Sequence, residues 1–216
     1  MTDGYGFPGL PLADIRPGTS LLVTGPIHEG SRDLAVRLLA GTPDEAAIVV
    51  TTNQRAARMA DDCRRMGVAT APERTAILDC VGTDGAGVNA QVHQVSGPSD
   101  LTGIGMRYSD VHAGFADDGH GRVRTGLFSL STLLSFSDLR TVSRFVHTLV
   151  GRIDSVDGLG VLLIDPGSHD ERTVRTLAQF CAGRIQVRDG EDSLQLRARG
   201  LPSQSRDWQA FDPLPE

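Results

Sequence analysis

The sequence contains no lysine. All 21 of its basic residues are arginine, 21 of its 27 acidic residues are aspartate, and the net charge is −6. That balance argues against a partner that is nucleic acid or an anionic membrane, because both need a basic surface. Aromatic residues are few, at 5%. No apolar run approaches the length of a membrane span. The N-terminus, "MTDGYGFPGLPLADIRPG", lacks a basic region followed by an apolar stretch, so it does not read as a signal peptide, and a cytoplasmic location is expected. The three cysteines, Cys63, Cys80 and Cys181, are odd in number and form no C-x-x-C pair, so neither a disulfide framework nor a zinc site is indicated and buried free thiols are expected. Six histidines include no H-E-x-x-H, and "HAGFADDGH" (112–120) reads as a polar loop rather than a metal site. The arginine and aspartate bias fits a GC-rich genome, with a high-salt cytoplasm as a second contribution.

What is present is an alternation of apolar strands and amphipathic helices. Leu21 to Thr24 reads as a strand, followed by a helix after Gly30 that buries Leu34, Leu38 and Leu39 and stops near Gly41. "AAIVVTT" (46–52) is a continuous apolar run, as in a parallel strand buried on both faces. Ala56, Met59, Ala60, Cys63 and Met66 recur at helical spacing before Gly67. "TAILDCV" (75–81) predicts a third strand, 82–100 a glycine-rich loop, and 100–115 a helix capped by Asp100. A strand lies within 122–134. Leu139, Val142, Phe145, Val146, Leu149, Val150 and Ile153 mark the clearest amphipathic helix. "LGVLLID" (159–165), a helix capped near Ser168 to Asp170, and a hairpin of "RIQVRD" and "SLQLRAR" complete the order.

This pattern predicts one three-layer α/β domain over 19–200, with a mostly parallel sheet, helices on both faces and a C-terminal antiparallel hairpin. Residues 1–18 read as a Gly/Pro-rich lead-in. Residues 201–216 read as a tail partly ordered by Trp208 and Phe211.

The stretch "LLVTGPIHEGSRDLAVRLLAG" (21–41) has the layout strand, glycine-bounded loop, helix. It matches a phosphate-binding loop, G-x-x-x-x-G-K-[ST], over Gly25, Pro26, Ile27, His28, Glu29 and Gly30. Ser31 stands where the lysine belongs, and Arg32 where the Mg²⁺-binding hydroxyl belongs. No lysine elsewhere in the chain can replace the missing one. Glu29 adds a carboxylate that would repel phosphate.

The order of elements resembles the RecA superfamily, and its KaiC-like branch in particular. "LLVTGPIHEGS" resembles the first strand and phosphate loop. "IVVTTNQRAARMADDCRRMG" resembles the second strand and helix, and "LFSLSTLL" resembles a strand followed by D-S-L-S-x-L. "SLSTLL…SDLRTVSRFVHTL" and "IDPGSHDERTV" look like the inactivated RecA-superfamily ATPases of salt-loving archaea, which are linked to signal transduction. The resemblance implies that a pair of catalytic glutamates would fall at Asn53 and Gln54, and the Walker B aspartate at Phe128. Amides cannot act as a base near neutral pH, and phenylalanine cannot organise a metal. Asp165, at the end of "LLID", is the alternative Walker B residue, which would preserve a metal site.

Three functional readings follow. The first is a non-catalytic regulatory or scaffold protein in signalling, without ATP hydrolysis and with ATP binding weak or absent, pairing with itself or a protein partner. The second is an anion- or nucleotide-binding protein with residual ATPase activity, using Arg32 and Asp165. The third is an unrelated enzyme built on Asp165, His169 and Asp170, with Ser129 and Ser131 as serines lacking an assigned base. No cofactor and no metal are expected under the first reading.

Overall fold

A computed structural model describes residues 4–26, 30–82 and 87–214. Nine strands form a single sheet: β1 (Thr19–Thr24), β2 (Glu45–Thr51), β3 (Thr75–Asp79), β4 (Gln91–Gln94), β5 (Arg122–Phe128), β6 (Leu159–Ile164), β7 (Gly183–Asp189), β8 (Leu194–Arg199) and β9 (Gln209–Ala210). Their spatial order is β4-β3-β2-β5-β6-β1-β7-β8-β9. The first seven of these run parallel, and β8 and β9 add antiparallel pairings at one edge.

The central strands are buried on both faces because helices cover both, and this is why β2, β3 and β6 read as unbroken runs rather than alternations. Helices α1 (Arg32–Arg37) and α2 (Ala56–Arg65) pack on one face with Leu21, Val23, Val49 and Val161. Helices α3 (Leu101–Asp117), α4 (Leu130–Phe136), α5 (Leu139–Ser155) and α6 (Glu171–Ala178) pack on the other with Leu22, Ile48, Val50 and Leu162. On α5 the stripe Val142, Val146, Leu149 and Ile153 is buried, each side chain gaining about 1.5–3 kcal/mol by leaving water. Asp100, Asp138 and Asp170 cap α3, α5 and α6 by accepting from Gly103 N, Thr141 N and Thr173 N.

Several expectations are corrected. The predicted loop over 82–100 contains β4; this edge strand has one apolar residue, Val92, and its half-exposed pattern carries no apolar signal. "HAGFADDGH" is not a loop throughout, since α3 continues through His112 to Asp117 and buries Phe115. "FSLSTLL" turns into α4 directly after β5. Helix α1 ends at Arg37, short of Gly41. The α6 cap falls within the expected range, at Asp170. Cys63 and Cys80 are buried free thiols, but Cys181 is half-buried.

The lead-in and tail both join the core, with Tyr5, Phe7, Leu10, Ile15 and Phe211 buried. The anchor of the lead-in lies at the amino ends of β2 and β5. Arg124, 1% exposed, donates to Glu45 Oε2 at 2.7 Å, to the Leu38 carbonyl at 2.9 Å and to the Gly6 carbonyl at 3.0 Å. Arg122 approaches Glu45 Oε1 at 3.3 Å and lies 4.2 Å from the Tyr5 ring centroid. One buried carboxylate thus pairs with two guanidiniums, and the glycine-rich segment wraps over them.

Candidate functional site

The carboxyl ends of β1, β2, β5 and β6 meet at one end of the sheet, where open α/β folds place their ligands. The loop after β1 leaves through Gly25, where a Cβ would lie 2.8 Å from the Val187 carbonyl oxygen of β7. Gly30 has φ +79°, and a Cβ there would strike the Leu194 side chain of β8. Both glycines are therefore fixed by close approach of the C-terminal hairpin, whatever the loop binds. Ser31 is fully buried and its hydroxyl donates to the Pro26 carbonyl, closing the loop on itself. Ile27, His28 and Glu29 lie outside the described residues, so the repulsion expected from Glu29 has no geometry to set beside it.

Arg32 is 8% exposed and turns away from solvent into the space between α1, α2 and the end of β5. Its Nη2 donates to Gln54 Oε1 at 2.7 Å. Its Nε lies 3.5 Å from Asp62 Oδ2, and its Cζ sits 5.4 Å from the Phe128 ring centroid. Burial pulls its pKa down from the arginine range, and the charge of Asp62 opposes that pull. Asp62 is shared, with Arg65 at 3.2 Å and Arg58 at 3.7 Å. Burial, then the neighbouring Asp62 charge, pushes the Cys63 thiol up to about 12, so it is inert at neutral pH.

Three of the positions singled out in sequence, Arg32, Gln54 and Phe128, are thus brought into one contact set. Asn53 is exposed beside them. The surrounding strand ends are latched by hydroxyls: Thr52 Oγ1 donates to the Phe128 carbonyl at 2.9 Å and accepts from Ser129 N at 2.8 Å. Ser131 Oγ accepts from Asp165 N at 3.0 Å.

Asp165, His169 and Asp170 do not converge on a reacting centre. The Asp165 carboxylate is spent on its own turn, accepting from Gly167 N and Ser168 Oγ, each at 2.9 Å. Asp170 is the α6 cap, and the Thr173 backbone N–H, the largest cause, holds its pKa below the usual carboxylate range. Ser129 Oγ has Thr132 Oγ1 at 3.4 Å as its neighbour and Ser131 serves as the latch, so no base is placed on either hydroxyl. Among the described residues no group of three His, Cys, Asp or Glu side chains is positioned to hold a metal, and no helix is long and apolar enough to cross a membrane.

Sequence reading missed Asp79. Its buried carboxylate accepts from Ala56 N, Val81 N and Gly82 N, each at 2.8 Å, and so caps α2 from the neighbouring strand. The signal was one charged residue ending an apolar strand, "TAILD", with no local helix to assign it to.

Residues 18–187 match the sequence profile of DUF7504, a family of unknown function. The chain belongs to this family. No curated protein matches. Among solved structures, the DUF7504 chain is similar to the uncharacterized protein PH0321 from Pyrococcus horikoshii, crystallised in complex with an unknown peptide, with TM-score 0.67, 14% identity, and 88% of this chain and 86% of that one covered. It is also similar to the KaiC-like protein PH0186 from Pyrococcus horikoshii OT3, with TM-score 0.64, 15% identity, and 96% and 91% covered. At these identities the likeness shows the fold: this DUF7504 protein has the RecA-like architecture of KaiC-like proteins.

Proposed function

We propose that this DUF7504 protein is a RecA/KaiC-like domain that does not hydrolyse ATP and acts as a regulatory or scaffold protein in signalling, through a protein partner or self-association. The observation that carries this reading is the contact set of Arg32. A RecA-type ATPase needs a cation on the β- and γ-phosphates, a hydroxyl and an acid that hold Mg²⁺, and a carboxylate that orients water. In the alignment implied by the resemblance, Ser31, Arg32, Phe128, Asn53 and Gln54 stand at those places. Arg32 contacts both Gln54 and Phe128 directly, which favours Phe128 over Asp165 as the residue at the Walker B position. Arg32 spends its charge on Asp62 and its N–H on Gln54, so it is not held ready for a phosphate. Losing the lysine contact alone removes a charge-assisted interaction of about 1.5–3 kcal/mol. The peptide bound to the Pyrococcus horikoshii protein of the same fold gives a precedent for peptide binding on this architecture.

The test is Mg²⁺-dependent ATP hydrolysis by the purified chain beside its R32A and D165N variants. No turnover above buffer in any of the three is expected. Sustained turnover that disappears in either variant overturns the proposal in favour of a residual ATPase.

A further inference from the structure

The C-terminal hairpin has two unlike faces. Ile185, Val187, Leu196 and Ala198 point into the core. The alternate positions are Arg184, Gln186 and Arg188 on β7 and Gln195, Arg197 and Arg199 on β8, all half-buried or exposed. Register sets Arg184 opposite Arg199, Gln186 opposite Arg197 and Arg188 opposite Gln195. Four guanidiniums therefore share one small face of a chain whose net charge is −6.

Among the described residues none of the four forms an ion pair; Asp189 has the parity of the apolar face, and Glu191 and Asp192 lie at the hairpin tip. Burial, then the charges of Arg199 and Arg188, lower the pKa of Arg197. Protecting a sheet edge needs charge but not one sign alone, and like charges directly opposite each other destabilise a strand pair. The face is also pre-organised. Arg188 donates Nε and Nη2 to Gln195 Oε1 at 2.9 and 2.7 Å, and Arg197 donates Nε to Gln186 Oε1 at 2.8 Å. Each keeps further N–H groups for a ligand. Trp208 lies under both, 4.2 Å from Arg188 Cζ and 4.4 Å from Arg197 Cζ, and adds an apolar border.

We propose that this arginine and tryptophan face of the hairpin is a docking surface for an acidic segment of a partner protein, recognised by carboxylate contacts to Arg184, Arg188, Arg197 and Arg199. It deepens the non-catalytic reading by giving the partner a chemistry, and it rests on that reading. Charge extent favours an acidic peptide over a nucleic acid. Arg184 to Arg188 span about 13 Å along the strand. Beyond a Debye length of about 10 Å a long phosphate chain meets the acidic remainder of the protein. A short segment with a few carboxylates fits within the patch, and the planar guanidinium fork suits carboxylates bidentately.

The test is fluorescence polarisation with the full chain and a short labelled peptide of glutamate and leucine, beside a labelled deoxythymidine oligomer and a lysine–leucine peptide. The acidic peptide binds, with affinity falling as salt rises, and both the R197Q/R199Q and the R184Q/R188Q variants weaken it by about tenfold or more. Each double variant removes like-charge repulsion together with guanidinium contacts to Gln186, Gln195 and Trp208, so a thermal melt confirms that each is folded at the assay temperature; two separate pairs keep the test valid if one fails to fold. Absence of acidic-peptide binding at low salt, equal binding by the variants, tighter binding of the oligomer, or a change in oligomeric state as the variants' main effect would each overturn the proposal. ATP hydrolysis by the same preparations reports separately on the non-catalytic reading. Peptide binding with turnover would sink that reading alone, and no binding without turnover would sink this surface alone.

Discussion

The Arg32 guanidinium and the Gln54 side-chain amide are joined by a 2.7 Å hydrogen bond across the gap between α1 and α2. One stands where the sequence pattern calls for a metal-binding hydroxyl, the other where the resemblance calls for a catalytic carboxylate. A glutamate at 54 beside Arg32 would form an ion pair. The amide instead accepts one N–H and leaves the charge of Arg32 to Asp62. The substitutions are mutually satisfied, and this makes them a stable structural unit rather than independent losses.

That unit makes Arg32 a stability residue. Arg32→Ala leaves Asp62 buried with only the more exposed Arg58 and Arg65 as partners. Breaking a buried pair costs 3–5 kcal/mol, and the remaining arginines put the loss at the low end, about 3 kcal/mol. Urea unfolding measures this. In the R32A/D62A double variant the loss is smaller than the sum of the two single losses, because the residues are in contact. Additive losses would contradict the coupling.

The Glu45 anchor at the opposite end of the sheet is predicted to matter as much. Glu45→Gln strands the buried Arg124 cation and frees the contacts that hold the N-terminal segment. A loss of about 3–5 kcal/mol is expected, with earlier proteolysis near residues 4–15. Unchanged stability would show that Arg124 is satisfied by the Leu38 and Gly6 carbonyls alone.

Gly30→Ala tests whether the loop is held by the hairpin. The substitution meets both a left-handed backbone at φ +79° and the Leu194 side chain. Adding Leu194→Ala relieves the clash but not the backbone, which costs about 1–2 kcal/mol for a residue with a Cβ. The double variant is therefore more stable than the sum of the two single effects but stays below wild type by thermal melting.

The fold was largely legible because β2, β3, β6 and the α5 stripe carry strong periodic signals. The exceptions have physical reasons. Strand β4 has a single apolar residue to pair at an edge, and α4 follows β5 with only Ser129 between them. The lead-in is tied down by Glu45, Arg122 and Arg124, distant in sequence from Tyr5 and Gly6. At the site, the identities of Ser31, Arg32, Asn53, Gln54 and Phe128 were readable. That Gln54 and Phe128 meet at the Arg32 guanidinium was not, since it needs the chain path around Asp62, an α2 residue that sequence spacing gives no reason to single out. Asp79 escaped for the same reason: a cap supplied from another strand leaves no local pattern.

Acid sensitivity is predicted from His112. Burial foremost, then the charge of Arg152, holds its pKa below the ordinary imidazole range. The unfolded chain therefore binds a proton at higher pH than the folded chain. Stability from this residue is full above about pH 6.5 and is lost as pH falls through the lower folded value. Burial, then Arg107, does the same to His93. Melting temperature against pH should fall below about 6.5, and His112→Asn or Arg152→Gln should flatten that slope. A slope unchanged in both variants would contradict this assignment.

The most direct measurement is calorimetric titration of the purified chain with ATP and ADP in the presence of Mg²⁺, at low salt and at multimolar salt. No heat of binding in either salt is the predicted result, because the loop has no lysine and Arg32 is committed to Asp62 and Gln54. Micromolar, Mg²⁺-dependent binding would contradict the account and make this DUF7504 protein a nucleotide-responsive switch.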